Sequence, residues 1–138
     1  MQTFLPYANF AESAAVLDRQ RLGKQRVETL QILRALAGFT QGWVNHPATR
    51  MWRGHAHALG EYGIAMCEEW RRRGYADTCE IKIRYLRAII DGEQSLPTWL
   101  GDDAVHLSHR SNLIRKAPVF YGPLFPDTPN NLPYLWPS

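Results

Sequence analysis

The sequence predicts an all-α fold: one compact domain, residues 1–138, of about five helices with an extended, aromatic and Pro-rich C-terminal tail. Three observations carry this expectation. Apolar residues recur at three- and four-residue steps along most of the chain. Capping residues and glycines punctuate those stripes where helices should start and stop. No run of alternating polarity longer than four residues stands out, as a half-buried strand would require.

Residues 1–9 should be extended, because Pro6 excludes a helix interior there. Asn9 can cap a helix over 10–22, with Phe10, Ala14 and Leu17 on one face and Ser13 as a second candidate cap. Gly23 is expected to bend or break that helix. Val27, Leu30, Leu33 and Ala37 then form a stripe from Lys24 to Ala37, and Gly38 stops it. A loop over 38–48 holds Gly42-Trp43-Val44-Asn45-His46-Pro47. The next helix starts near Ala48 and pauses at Gly54. Ala56, Leu59, Gly63, Met66 and Trp70 mark the buried face of a long helix that ends on Arg71-Arg72-Arg73 and Gly74. Asp77 or Thr78 opens a helix through Ile81, Tyr85, Leu86 and Ile89, ending near Gly92. Asp102 caps a last helix to about Lys116. Six of the nine prolines follow, so the tail should lie extended over the surface.

A hydrophobic fraction of 45% with five Trp can build a core without metal or disulfide staples. Charged residues make up 21%, which excludes a disordered composition. No apolar run approaches the roughly 20 residues that cross a bilayer, and no signal peptide is evident. The expectation is a cytoplasmic, monomeric protein with no membrane and no obligate protein partner. Cys67 and Cys79 then read as two small core-filling thiols. The net charge is +3, and 13 of the 16 basic residues are Arg. The flat Arg fork matches phosphate oxygens, so this bias suits a nucleic-acid partner.

The stretch richest in chemistry runs from Leu17 to Glu28. On a helix, Arg21, Lys24, Glu28 and Gln31 share one face, which sets one carboxylate among several cations, an arrangement that favours its ionised form. The bland alternative is a solvated face with a Lys24–Glu28 pair worth a few tenths of a kcal/mol. His55 and His57 point about 200° apart on a helix and cannot chelate one metal together. His106 and His109 could, but no suitable third ligand completes a set, so no metal is expected. Trp52 reads as core.

The segment Arg26-Val27-Glu28, with Leu30, Leu36, Gly38 and Gly42-Trp43-Val44-Asn45-His46-Pro47, resembles the pyrimidine-dimer DNA glycosylase/endonuclease V family. The C-terminal part, Ser108-His109-Arg110-Ser111 through Leu113, Lys116, Pro118 and Tyr121-Gly122, is also similar to that family. The opening Gln2-Thr3-Phe4-Leu5-Pro6-Tyr7 and Arg21-Leu22-Gly23-Lys24-Gln25-Arg26 look like an uncharacterised bacterial and phage branch of it.

The resemblance implies a glycosylase in base excision repair that can also act as an AP lyase and needs no cofactor. A primary amine, the chain's own α-amino group, would attack C1′ of a damaged nucleotide, with Glu28 as the catalytic carboxylate. An α-amine suits this because its ordinary pKa lies near 7.7–8.0. Gln2 is too large for ordinary removal of Met1, so the amine should be that of Met1. The spacing from Met1 to Glu28 is longer than the family pattern implies, which leaves open whether the amine reaches Glu28. Lys24, if buried beside Arg21, is then the alternative nucleophile, and water the third. Double-stranded DNA would be held by Arg21, Arg26, Asn45, His46, Arg50, Arg53, His109 and Arg110. Two other readings stay open: an N-glycosidase for a modified phage base or nucleoside, and a non-catalytic helical DNA-binding module.

Overall fold

A computed structural model describes residues 1–92 and 94–138. The elements are α1 (Phe10–Val16), α2 (Arg19–Leu36), α3 (Pro47–Trp52), α4 (Ala56–Arg72), α5 (Glu80–Ile89), α6 (Asp103–Lys116) and α7 (Pro118–Tyr121). The described residues form no strand. Five helices have seven residues or more, and the two short ones, α3 and α7, each begin with a proline, whose fixed φ suits a first helical position.

The expected caps form, but one break moves. Asn9 Oδ1 accepts from Glu12 N at 2.9 Å and starts α1. The chain then breaks at Leu17–Asp18, not at Gly23. Leu17 is fully buried, and the Asp18 carboxylate accepts from Arg21 N to start α2. Gly23 stays helical because it is a contact: a Cβ there would lie 3.1 Å from the Trp70 indole of α4. Gly38 and Gly54 take positive φ of 81° and end helical segments as expected. The Asp77 carboxylate accepts from Glu80 N and starts α5, which ends at Ile89, short of Gly92.

Helix α2 packs on α4, which also meets α1 and α5. Leu22, Leu30, Ile32 and Leu33 of α2 join Leu59, Tyr62 and Met66 of α4 and Trp52 of α3 in one buried cluster. Burying an aliphatic or aromatic side chain of this kind contributes about 1.5–3 kcal/mol. One expected stripe is corrected. Val27 is 44% exposed, because α2 turns Gln25, Thr29 and Ile32 inward instead. On α5 the buried side chains are Ile83 and Leu86, while Ile81 and Tyr85 lie outside. Cys67 and Cys79 are buried free thiols, and burial pushes the Cys67 thiol well up. No helix of the described residues is long and apolar enough to cross a membrane.

The end of the tail lies extended over the surface, as expected, and is fastened there. Leu132 N donates to Ser111 Oγ and Leu135 N to Ser108 Oγ, so the tail runs antiparallel along α6. Phe125 is buried and stacks on the buried Tyr121. The Tyr134 hydroxyl donates to Thr3 O at 2.9 Å, fastening the C-terminal end of the chain to the N-terminal end.

Candidate active site

The extended N-terminal segment runs through the interior instead of over the surface. Thr3 to Pro6 are buried, and a buried extended chain needs partners for its peptide groups. Side chains from distant helices supply them. Phe4 N donates to Gln25 Oε1 at 2.9 Å, and the Tyr62 hydroxyl reaches Phe4 O at 2.8 Å. Leu5 N donates to His109 Nδ1 at 3.0 Å, while His106 Nδ1 lies 2.9 Å from Leu5 O. His106 Nε2 accepts from Gly101 N, so its proton sits on Nδ1 and is donated to Leu5. Arg110 donates to Pro6 O at 2.6 Å. The Trp52 indole N–H donates to Thr3 Oγ1 at 3.0 Å.

This fixed segment delivers residue 1 to Glu28. Glu28 is half-buried on α2. Its Oε2 accepts from Gln25 Nε2 at 3.0 Å and from Gln2 N at 3.3 Å. Met1 and Glu28 therefore line one pocket of about 240 Å³, with Arg21, Lys24, Gln25 and Lys116. The long spacing does not keep residue 1 out of the Glu28 pocket. The first residues are extended, so they cover distance efficiently, and the additional chain folds away as α1.

Arg21 is half-buried and paired with Asp18 at 3.2 Å. Burial pushes the Asp18 carboxyl up, but hydrogen bonds from Tyr121 and Arg21 outweigh it and hold the pKa below the ordinary value. Lys24 is exposed, not buried, one turn before Glu28. It joins the pocket to a wider groove of about 710 Å³ along α2, bounded by Arg19, Val27, Gln31 and Trp70. Trp70 is already engaged by two side chains. Arg26 lies over its ring at 4.4 Å, and Tyr75 packs against it with centroids 4.4 Å apart.

The other expected contacts separate into two groups. Asn45 and Arg50 are exposed beside the loop. Arg53 is exposed too, and donates to Val44 O at 2.6 Å. His46 caps α3 by accepting from Ala48 N at 3.0 Å, and its ring packs edge-on against Trp43 and Trp136. Its pKa is lowered by burial first and then by the Met1 ammonium, while Glu28 pulls it up. Arg26 and His109 are held by other parts of the chain. Arg26 is paired with the buried Asp77. His109 is fully buried and stacks on Tyr134 at 4.2 Å. Arg110 is half-buried against Tyr7 and committed to Pro6. Gln25 and Lys116 were not among the expected site residues. Gln25 is polar on the inward face of α2, a position where a polar residue needs a buried partner. No group of three His, Cys, Asp or Glu among the described residues is placed to hold a metal ion.

The buried histidine makes a testable link between pH and stability. Burial holds His109 down at about 3, against an ordinary 6.5, with the Leu135 backbone pulling weakly the other way. The folded protein keeps it neutral while the unfolded chain takes up a proton. Its contribution is thus full above pH 6.5 and is lost as pH falls toward 3, approaching a tenfold change in the unfolding constant per pH unit. Resistance to urea should fall as pH drops from 6.5 to about 4.5, a window above the ordinary carboxylate range. His109→Asn can keep an acceptor for Leu5 N–H and should flatten that slope by about one proton. An unchanged slope in the variant would refute the assignment.

A family model described as pyrimidine dimer DNA glycosylase matches residues 1–83. The match takes in the buried N-terminal segment, α1 to α4 and the start of α5, and so includes Met1, Lys24 and Glu28. Lys116 and the aromatic tail lie beyond it. No curated protein and no solved structure matches the chain.

Proposed function

The chain belongs to the pyrimidine dimer DNA glycosylase family, and from that we propose that it excises damaged or modified pyrimidines from double-stranded DNA, with Met1 supplying the nucleophilic amine and Glu28 the catalytic carboxylate. The observation that carries this reading is the Gln2 N–H donated to Glu28, which puts residue 1 and the carboxylate in one pocket. Chemistry at C1′ needs the nucleotide drawn out of the stack. The amine lone pair forms the N–C1′ bond as the C1′–base bond breaks, and the base leaves with a proton. Loss of the second amine proton and opening of the sugar at O4′ give an imine. The imine acidifies the 2′ proton, whose removal expels the 3′ phosphate and breaks the strand; water then cleaves the imine and frees the amine. Glu28 stabilises the cationic stage and carries protons between these steps. Arg21, Lys24 and Lys116 around the pocket, with Arg50 beside the loop, supply the positive field for phosphates.

Lys24 lines the same pocket, so it is the second candidate amine. The test is base release from duplex DNA carrying defined pyrimidine lesions, with borohydride present to trap the imine and peptide mapping of the adduct. An adduct on the nitrogen of residue 1 is the expected result. An adduct on Lys24 moves the nucleophile, and base release without any adduct makes water the nucleophile and removes the lyase step. No base release from any lesion overturns the glycosylase reading.

A further inference from the structure

Helix α5 buries Ile83 and Leu86 and carries a second apolar stripe on its other side. Ile81, Tyr85 and Ile89 fall at steps of four, which aligns them along one face. Ile81 is 76% exposed and Tyr85 62%. Phe39, just beyond the end of α2, is 59% exposed and lines the same groove as Ile81 and Tyr85. The groove measures about 480 Å³ and is completed by Leu86, Arg34 and Lys82. Single exposed apolar residues are ordinary on a monomer. Several large ones gathered in a groove with a polar rim mark a surface built to be covered.

Charge selects what covers it. The two rim residues, Arg34 and Lys82, are both cations, and neither has an ion-pair partner among the described residues. The carboxylate at the start of α5, Glu80, is already bound to Arg71 at 2.7 Å and Arg84 at 3.0 Å. A second copy docked face to face would gather the cations of both rims without a counter-charge, which opposes self-association. DNA would satisfy the rim but leave Phe39, Ile81 and Tyr85 against a phosphate backbone.

We propose that this groove docks an acidic amphipathic helix of a partner protein. Apolar anchors one turn apart would lie between Phe39 and Tyr85, and flanking Glu or Asp would meet Arg34 and Lys82, in the helix-in-groove manner. The groove shares no lining residue with the Met1–Glu28 pocket, so the proposal does not depend on the glycosylase reading.

The test titrates the full-length, isotope-labelled protein with a synthetic helical peptide that carries Leu and Phe on one face and Glu beside them. A counterpart peptide has Lys in place of every Glu. Saturable binding of the Glu peptide is expected, with amide shifts at Phe39, Ile81 and Tyr85 and affinity that falls as salt rises. Ile81→Asp, Tyr85→Asp and Lys82→Glu should each weaken it by about tenfold or more. Because these side chains are exposed, thermal unfolding of the variants should match the parent. Equal binding of the Lys peptide, or no saturable binding, overturns the proposal. So does a concentration-dependent dimer that Ile81→Asp abolishes, which would make a second copy the occupant. Duplex DNA binding lost in the same variants would make the patch a nucleic-acid surface, and likewise overturns it.

Discussion

Glu28→Gln is expected to bind lesion DNA as tightly as the parent and to excise bases about 10²–10⁴-fold more slowly, the range that a positioned acid–base group contributes. The substitution isolates charge from shape. A Gln side chain has the same length, and its amide oxygen can still accept from Gln2 N and Gln25 Nε2, the two donors that hold Glu28 Oε2. The buried segment therefore keeps its course. Removing one negative charge from a pocket that also holds Arg21, Lys24 and Lys116 makes the local field more positive, so phosphate affinity should not fall. The loss then belongs to the step in which a cationic sugar needs a carboxylate. Single-turnover base release measured beside fluorescence anisotropy over a salt series separates the two quantities. Excision at the parental rate would end the role of Glu28 as the catalytic carboxylate.

Much of the helical frame can be read from the sequence because it is locally encoded. Asn9, Asp102 and the glycines at 38, 54 and 74 act within a few residues of themselves, and their caps and stops form where the pattern places them. Glu28 stands out for a similar reason, since helical spacing alone sets it among cations. What the sequence hides is tertiary. An extended opening with a proline carries no signal of burial, yet it is buried because Gln25, Tyr62, His106 and His109 satisfy its peptide groups across separations of 21 to 104 residues. No periodicity reports such partners. The same limit explains His109. Its spacing from His106 and its neighbour Arg110 suggest a polar ligand face, but that face of α6 is turned to the main chain of Leu5 and Pro6. Gly23 looks like a helix breaker until Trp70 is seen against it, and Ile81 looks like core although α5 turns Ile83 inward. In each case helical phase is legible, but which side of the helix meets the core depends on elements far away in the chain.

Gln25→Leu is expected to destabilise the fold and, separately, to lose base excision, because Gln25 ties the amine-bearing segment to the carboxylate. It is 2% exposed. Its Oε1 accepts from Phe4 N at 2.9 Å and lies within reach of the Tyr62 hydroxyl, whose single proton is shared with Phe4 O. Its Nε2 donates to Glu28 Oε2. Leu matches the volume but leaves the buried Phe4 N–H without an acceptor and Glu28 without one of its two donors. Each lost buried partner costs about 1–3 kcal/mol, so a total of about 2–5 kcal/mol should appear as a lower urea midpoint. Instability alone could also reduce activity, and Met66→Ala provides the contrast. Met66 is fully buried in α4 and holds none of the segment's polar groups; its truncation should cost a similar 2–5 kcal/mol. At a temperature where circular dichroism shows both variants folded, Met66→Ala should excise bases and form the borohydride adduct at nearly the parental rate. Gln25→Leu should bind DNA but form adduct at least about tenfold more slowly, since a displacement of about 1 Å at a reacting centre can cost a hundredfold. Equal activity of the two folded variants would mean that residue 1 does not depend on Gln25 for its place beside Glu28.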